Sequence, residues 1–380
     1  MDKIIYFDNA ATTTLDPDVK EVFSDALDKY YANPSSIHKL GQEATYLLDK
    51  TRSDILNLLR CNDHQVVFLS GATEANNLAI KGTCLRYKNR GHHIVTSIYE
   101  HPSVLEAFRQ LEKEFGFEVS YVSPKSKGVI EVEAVKKVLR NDTIFVSIMA
   151  VNNEIGAINP IEEIADMLKA YPKVIFHSDA AQLIGKSNKS INFNKIDLLT
   201  ISAHKMHGLK NSGVLIKRKK IEFLPLSSGG GQEYNYRSGT NDLASALAFK
   251  KTLELALANQ NERFDYVSGL SEPLLNYLKD NKELFELNLP EPFNPYIINF
   301  SSIKKKGSVV VEALSNNNIM VSSISACHSS KEKGSYVVAS LNKGEVVSNN
   351  TVRVSLDYLN TKEDIDTLVS TLDKIIKDIR

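Results

Sequence analysis

The chain has 380 residues, 42% hydrophobic and 24% charged, which is ordinary globular composition in a chain too long for one simple core. Its 46 basic and 46 acidic side chains cancel, and no apolar run approaches membrane-span length, so nothing global favours nucleic acid or a membrane. Three cysteines, Cys61, Cys84 and Cys327, show neither CxxC spacing nor a disulfide framework, which fits a reducing cytoplasmic compartment and disfavours structural zinc.

The opening MDKIIYFDNAATT lacks a signal-peptide layout. Tyr6–Thr14 reads as a short strand running into a small-residue polar segment. Asp16 and Pro17 have the chemistry of a helix cap and first turn, for a helix reaching about Tyr31. Asn33-Pro34-Ser35-Ser36 is a turn. The next helix, Gly41–Leu59, turns Leu47, Leu48, Ile55, Leu58 and Leu59 inward.

From Gln65 onward strands and helices alternate, the signature of a mostly parallel sheet covered by helices. The expected strands are Val66–Ser70, His93–Ser97, Glu118–Val122, Ile144–Met149, Val174–Ser178, Leu198–Ser202 and Val214–Lys217. Helices are expected over Glu74–Tyr87, Pro102–Phe115, Val132–Leu139, Ile161–Ala170 and Asn241–Asn259. The run Ser228-Gly229-Gly230-Gly231 marks a loop. The basic runs Lys217–Lys220 and Lys304–Lys306 lie beside strand ends and read as solvated turns. A large domain is expected over 16–255 and a smaller α/β domain over 256–380, with residues 1–15 packing against the latter. The small domain should contain a long helix (Glu262–Asp280), strand Tyr296–Phe300, helix Gly307–Asn316, strand Thr351–Leu356 and an amphipathic helix Thr361–Ile379.

Two apolar strands end in chemistry: VIFHSDAAQLIGK delivers Asp179 and Gln182, and LLTISAHKMHG delivers Ser202, His204 and Lys205. Open α/β sheets bind ligands at such strand ends. A carboxylate and a lysine placed there suit pyridoxal 5′-phosphate (PLP), the lysine forming a Schiff base and the carboxylate keeping the pyridinium nitrogen protonated. An ordinary structural aspartate and a surface lysine account for these two residues equally well. The small residues of LSGATE could bring an anion to a helix N-terminus, although Ser70 or Thr73 as a plain N-cap serves as well. His101 in SIYEH and Asn153 in VNNEIG end two further strands, a ring-stacking or proton-moving imidazole and an amide able to bond a ring hydroxyl. Each also suits a structural or turn role. Cys327, in the polar stretch SSISACHSS, lacks the apolar neighbours of a buried cysteine such as Cys61 or Cys84 and is a candidate nucleophile. Arg353, inside VRVS, has a fork suited to a substrate carboxylate, or to a surface salt bridge.

In order along nearly the whole chain, YFDNAATT, NPSS, SGATEANNLAIKG, SIYEHPSVL, VSIMAVNNEIG, HSDAAQLIGK, SAHKMHG, RSGT, SSISAC and VRVSL closely resemble the cysteine desulfurases of the NifS/IscS-like group. These are class V, fold-type I PLP enzymes. The resemblance implies an α/β fold-type I PLP-dependent transferase with a seven-stranded, mostly parallel sheet and a smaller α/β domain. It implies Lys205 as the Schiff-base lysine, Asp179 as the pyridinium partner and His101 stacked on the ring for acid–base steps. Asn153 and Gln182 would bond the ring oxygen, and Ala72, Thr73, Ser202 and His204 the phosphate. Thr240 would join them from a neighbouring subunit, so a homodimer is implied. Arg353, helped by Asn33, would bind the carboxylate of L-cysteine. Cys327 would take the sulfur as a persulfide, leaving L-alanine, and hand it to an acceptor protein for Fe–S cluster assembly, tRNA thiolation or cofactor synthesis. Ile324 stands where the group usually has Gly, and His328 where Ser or Thr is common. A selenocysteine lyase, another class V enzyme or a silent scaffold on the same fold are the alternatives.

Overall fold

The computed structural model describes residues 3–125, 127–323 and 334–378. A two-residue strand, β1 (Ile5–Tyr6), leads to helix α1 (Pro17–Lys29), where extended Asp16 accepts the Asp18 N–H and Pro17 fills the first turn. Helix α2 (Lys39–Leu58) starts two residues before the expected Gly41, because the His38 ring accepts the Gly41 N–H and caps it. The alternating region follows as β2 (His64–Leu69), α3 (Ala72–Asn77), α4 (Thr83–Tyr87), β3 (His93–Ser97), α5 (Pro102–Phe115), β4 (Glu118–Val122) and α6 (Val132–Val138). It continues with β5 (Thr143–Ser147), α7 (Ile161–Leu168), β6 (Ile175–Asp179), β7 (Leu198–Ser202), β8 (Gly213–Arg218) and α8 (Leu243–Leu257). The helix expected over 74–87 is one run, α3 and α4 being joined through a wider π turn at Leu78–Gly82. The remainder holds α9 (Gln260–Asp280), β9 (Phe285–Leu287), β10 (Ile297–Ser302), α10 (Gly307–Asn316) and β11 (Ile319–Met320). It closes with α11 (Tyr336–Ala339), α12 (Glu345–Asn349), β12 (Thr351–Ser355) and α13 (Lys362–Asp378).

The seven strands expected from the alternation form one sheet in the order β2-β8-β7-β6-β5-β3-β4. Only β8 runs against its neighbours β2 and β7, so the other six strands end at the same edge. Strands β3, β5, β6 and β7 are buried along their whole length, which is why they read as continuous apolar runs. A second, antiparallel sheet, β12-β10-β9, has its own core around Phe300, Val352 and Leu368. Strand β1 pairs in parallel with β11, and Ile5, Phe7 and Ala10 pack into that second core.

Cys61 and Cys84 are buried, as expected. The solvated turn expected at Lys217 is wrong. Strand β8 runs on to Arg218, so Lys217 still sits in the ladder opposite Gln65 and Leu198 and is fully buried. Its ammonium donates to Gln65 Oε1 at 2.9 Å and lies 4.9 Å from the Tyr236 ring centroid, and burial pushes its pKa down to about 8. Among the described residues no helix is long and apolar enough to cross a membrane.

Candidate active site

The shared strand edge opens into a cavity of about 580 Å³, the size of a small-molecule site. Lys205, just past β7, reaches back to the N-terminal segment, its Nζ donating to Ala10 O at 2.7 Å and Ala11 O at 2.6 Å. Burial, then the nearby charges of Lys186 and Arg353, push its pKa down to about 7, against the pull of Asp179 and Asp8.

Asp179 ends β6. Its Oδ1 accepts the Ala181 N–H at 2.9 Å and its Oδ2 accepts Asn76 Nδ2 at 2.8 Å. The same Asn76 amide donates to Ser103 Oγ at 2.8 Å, which in turn lies 2.8 Å from His101 Nδ1. The Ser103 backbone N–H also donates to His101 Nδ1, so the neutral imidazole carries its proton on Nε2. Burial holds His101 below its ordinary 6.5, and the Lys205 charge adds to this while Asp179 opposes it. Asn76 and Ser103 were missed in the sequence. Both lie inside quoted motifs, yet only the packing of α3 against α5 brings them together between Asp179 and His101.

Gly71 precedes α3 with φ 149°, a conformation that suits glycine, and no side chain caps this helix. Neither Ser70 nor Thr73 is the cap, so the Ala72 and Thr73 end faces the cavity open. Ser202, which ends β7, does not line the cavity, and its buried Oγ has no hydrogen-bond partner. His204 lies 3.2 Å from Thr12 Oγ1 through Nδ1, and its pKa falls to about 4 through burial and the lysines Lys205, Lys186 and Lys210. Gln182 donates to Ala10 O at 2.9 Å and accepts Lys186 Nζ at 3.4 Å. Asn153 lines the cavity, with its backbone O accepting an Arg353 Nη1–H at 3.0 Å.

Arg353 enters from the small sheet. Its Nη2 donates to Asp8 Oδ1 at 2.7 Å, and its buried Nε has no partner. Asp8, in the DNAATT segment, is a third residue missed in the sequence. Two buried carboxyls back the cavity wall. Glu100 Oε1 accepts Ser97 Oγ at 2.6 Å and the Met149 N–H at 3.0 Å, and its buried Oε2 has no partner. Burial raises Glu100 to about 8, and Glu154, bonded to Ser335 Oγ, to about 7.

Two expected residues lie away from this cavity. Asn33 is exposed and caps its own turn, Oδ1 accepting the Ser35 N–H at 2.9 Å, and Thr240 is exposed too. Cys327, Ile324 and His328 lie outside the described residues, although Ser322, close by in sequence, lines the cavity.

The pattern of the aminotransferase class-V family matches residues 5–368. The chain is 38% identical over 374 residues to a NifS/IcsS protein homolog of Lactobacillus delbrueckii subsp. bulgaricus, covering 98% of this chain and 97% of the relative. It is 36% identical to the cysteine desulfurase IscS of Dictyoglomus turgidum, covering 100% of this chain and 96% of the relative. Among solved structures, a NifS-like protein superposes with a TM-score of 0.90 at 31% identity, over 99% of this chain and 100% of that one. A NifS-like protein from Rickettsia africae superposes at 0.85 with 28% identity, over 99% and 100% of the two chains. The chain belongs to the aminotransferase class-V family, whose fold it has, and its cofactor is PLP. The donor set fits that group. An orphaned Ser202 hydroxyl and an uncapped helix start suit a phosphate, a buried carboxylate suits a pyridinium, and a depressed lysine suits a Schiff base.

Proposed function

We infer that the protein is a PLP-dependent cysteine desulfurase that converts L-cysteine to L-alanine and takes the sulfur onto Cys327 as a persulfide. One observation carries this reading: Lys205 and Arg353, from different sheets, line one cavity together with Asp179. When bound, PLP supplies the electron sink for charge developing at the substrate Cα. Asp179 would hold the ring nitrogen, with His101 beside the ring and Asn153 and Gln182 available to its ring oxygen. Ala72, Thr73, Ser202 and His204 would hold the phosphate. Arg353 grips the substrate carboxylate in place of Asp8. Lys205, partly uncharged near pH 7, takes the Cα proton. The Cys327 thiolate attacks the substrate sulfur, so that an S–S bond forms and the Cβ–S bond breaks. The electron pair of the broken bond stays with Cβ, which is protonated as alanine forms, and His101 Nε2–H is a donor on the wall.

The protein works as a homodimer in this reading. Pro34, Ser35 and Asn241 line one outward groove, so the turn of Asn33 and the loop of Thr240 share a face. Tyr31 (78% exposed) and Ile37 (92%) put apolar surface beside it. Thr240, and with it Asn33, would complete the site of a second subunit. The persulfide would pass to an acceptor protein in the cytoplasm, serving Fe–S assembly, tRNA thiolation or a cofactor pathway.

The test is incubation with L-cysteine and a thiol reductant, measuring sulfide and alanine together in wild type and Cys327→Ala. Equimolar products that vanish in the variant are expected. Sulfide release by the variant at the wild-type rate would rule out the persulfide step and favour a lyase.

A further inference from the structure

Lys205 has to offer an uncharged amine near neutral pH, whereas an ordinary lysine keeps its proton to about pH 10. Its own hydrogen bonds work against this, because the Ala10 and Ala11 carbonyls favour the ammonium form. A second cation stands behind it. Lys186, on the turn leaving β6, is 5% exposed. Its Nζ donates to Gln182 Oε1 at 3.4 Å and lies 6.0 Å from the centroid of the Tyr296 ring. Neither contact brings a formal negative charge. Gln182 passes the contact on, its Nε2 donating to the same Ala10 oxygen that accepts Lys205. Both lysines also line one small cavity with Tyr296, His207 and Asp357.

We propose that Lys186 is a positioning residue for Lys205: its buried charge, tethered through Gln182 and the Ala10 carbonyl, keeps the Lys205 amine free of its proton and fixes its direction. The proposal rests on Lys205 being the amine that the desulfurase reaction uses. Two like charges sharing a poorly solvated region disfavour each other's protonation. Lys186 leads the charges that depress Lys205, ahead of Arg353, while Asp179 and Asp8 oppose them. Burial lowers Lys186 itself only to about 8, with Asp357 raising it and Arg353 lowering it. On this reading Lys186, with Asp357 facing it across the small cavity, is the member of the pair that keeps its charge.

The test is an NMR titration of the lysine Nζ groups in full-length, lysine-labelled protein without cofactor. Lys186 is assigned by loss of its signal in Lys186→Met, and Lys205 by loss in Lys205→Ala. The wild-type Lys205 midpoint is expected near 7. Lys186→Met and Lys186→Gln should raise it by about one unit, roughly fivefold less free amine at pH 7, while Lys186→Arg keeps it close to wild type. Unchanged or lower midpoints in the neutral variants would overturn the proposal, as would an Arg variant that shifts as far as Met. Where the neutral variants fail to fold, Lys186→Arg supplies the Lys186 assignment, and Lys186 losing its proton before Lys205 in the wild type would leave no charge to act and would overturn the proposal. Turnover is not read here, so inactivity toward L-cysteine would sink the desulfurase reading and leave these midpoints to judge Lys186.

Discussion

Glu100 stands one residue before His101, sealed from water, with one carboxyl oxygen bonded and the other bare. A group held protonated in the folded state and free to ionise when unfolded makes stability fall as pH rises. Its pKa goes from an ordinary 4.5 to about 8 on folding, so the contribution is whole below 4.5 and gone above 8. His177, buried and lowered from 6.5 to about 4, has the opposite slope, its contribution whole above 6.5 and lost as pH falls toward 4. Glu100→Gln should therefore match wild type in thermal midpoint near pH 5 and exceed it near pH 8.5. Equal slopes for both proteins in thermal melts across that range would show that Glu100 is already ionised in the fold. Lys205, Asp179 and His101 were legible as candidates because each lies at or just past the end of a strand of the large sheet, where parallel strands share one edge. Asn76, Ser103, Asp8 and Lys186 were not, since they sit on helices, a terminus and a turn whose meeting at one cavity depends on tertiary packing. Lys217 misled for a related reason: it was expected both to end its strand and to begin a solvated basic turn, and only tertiary packing shows that its ammonium turns inward to Gln65 and Tyr236.

At the scale of elements, capping chemistry and apolar period located most helices to within a residue or two. α5 and α10 run over the expected residues, and Asp16 caps α1. The π turn inside 72–87 has no such signal. The N-terminal end of α3, proposed to hold the phosphate, depends on a neighbour that sequence reading passes over, Gly213 at the start of β8. A Cβ at Gly213 would lie 2.7 Å from Gly71 Cα and 2.9 Å from Ile201 O, both backbone atoms that cannot swing aside. Gly213→Ala should push the Gly71 turn outward and spoil the Ala72–Thr73 cradle while sparing the sheet's core. The expected result is at least about tenfold weaker PLP retention, read as visible absorbance after dialysis, with secondary structure retained. Full retention would mean that the cradle tolerates the shift and that Ser202 and His204 carry the phosphate without it.

Across the whole molecule, the site lies where a segment belonging to one core serves the other. Phe7 is fully buried in the core of the small sheet, while the next residues hold Arg353 through Asp8 and Lys205 through the Ala10 and Ala11 carbonyls. Packing at Phe7 thus sets the position of two side chains from two sheets. Phe7→Ala should cost about 3–5 kcal/mol, as removal of a buried aromatic does, and should also loosen the Asp8–Arg353 pair. Phe285→Ala provides the comparison, being 2% exposed in the same core on β9, with no bonded link to the cavity. Both variants should lower the thermal midpoint to a similar extent. At a temperature where circular dichroism finds both folded, only Phe7→Ala should raise KM for L-cysteine, by about tenfold, since a misaimed Arg353 loses part of its carboxylate grip. A KM that rises equally in both would mean that the small core as a whole, and not the N-terminal segment, orients Arg353. A KM unchanged in both would mean that Asp8 and the alanine carbonyls hold their places without Phe7.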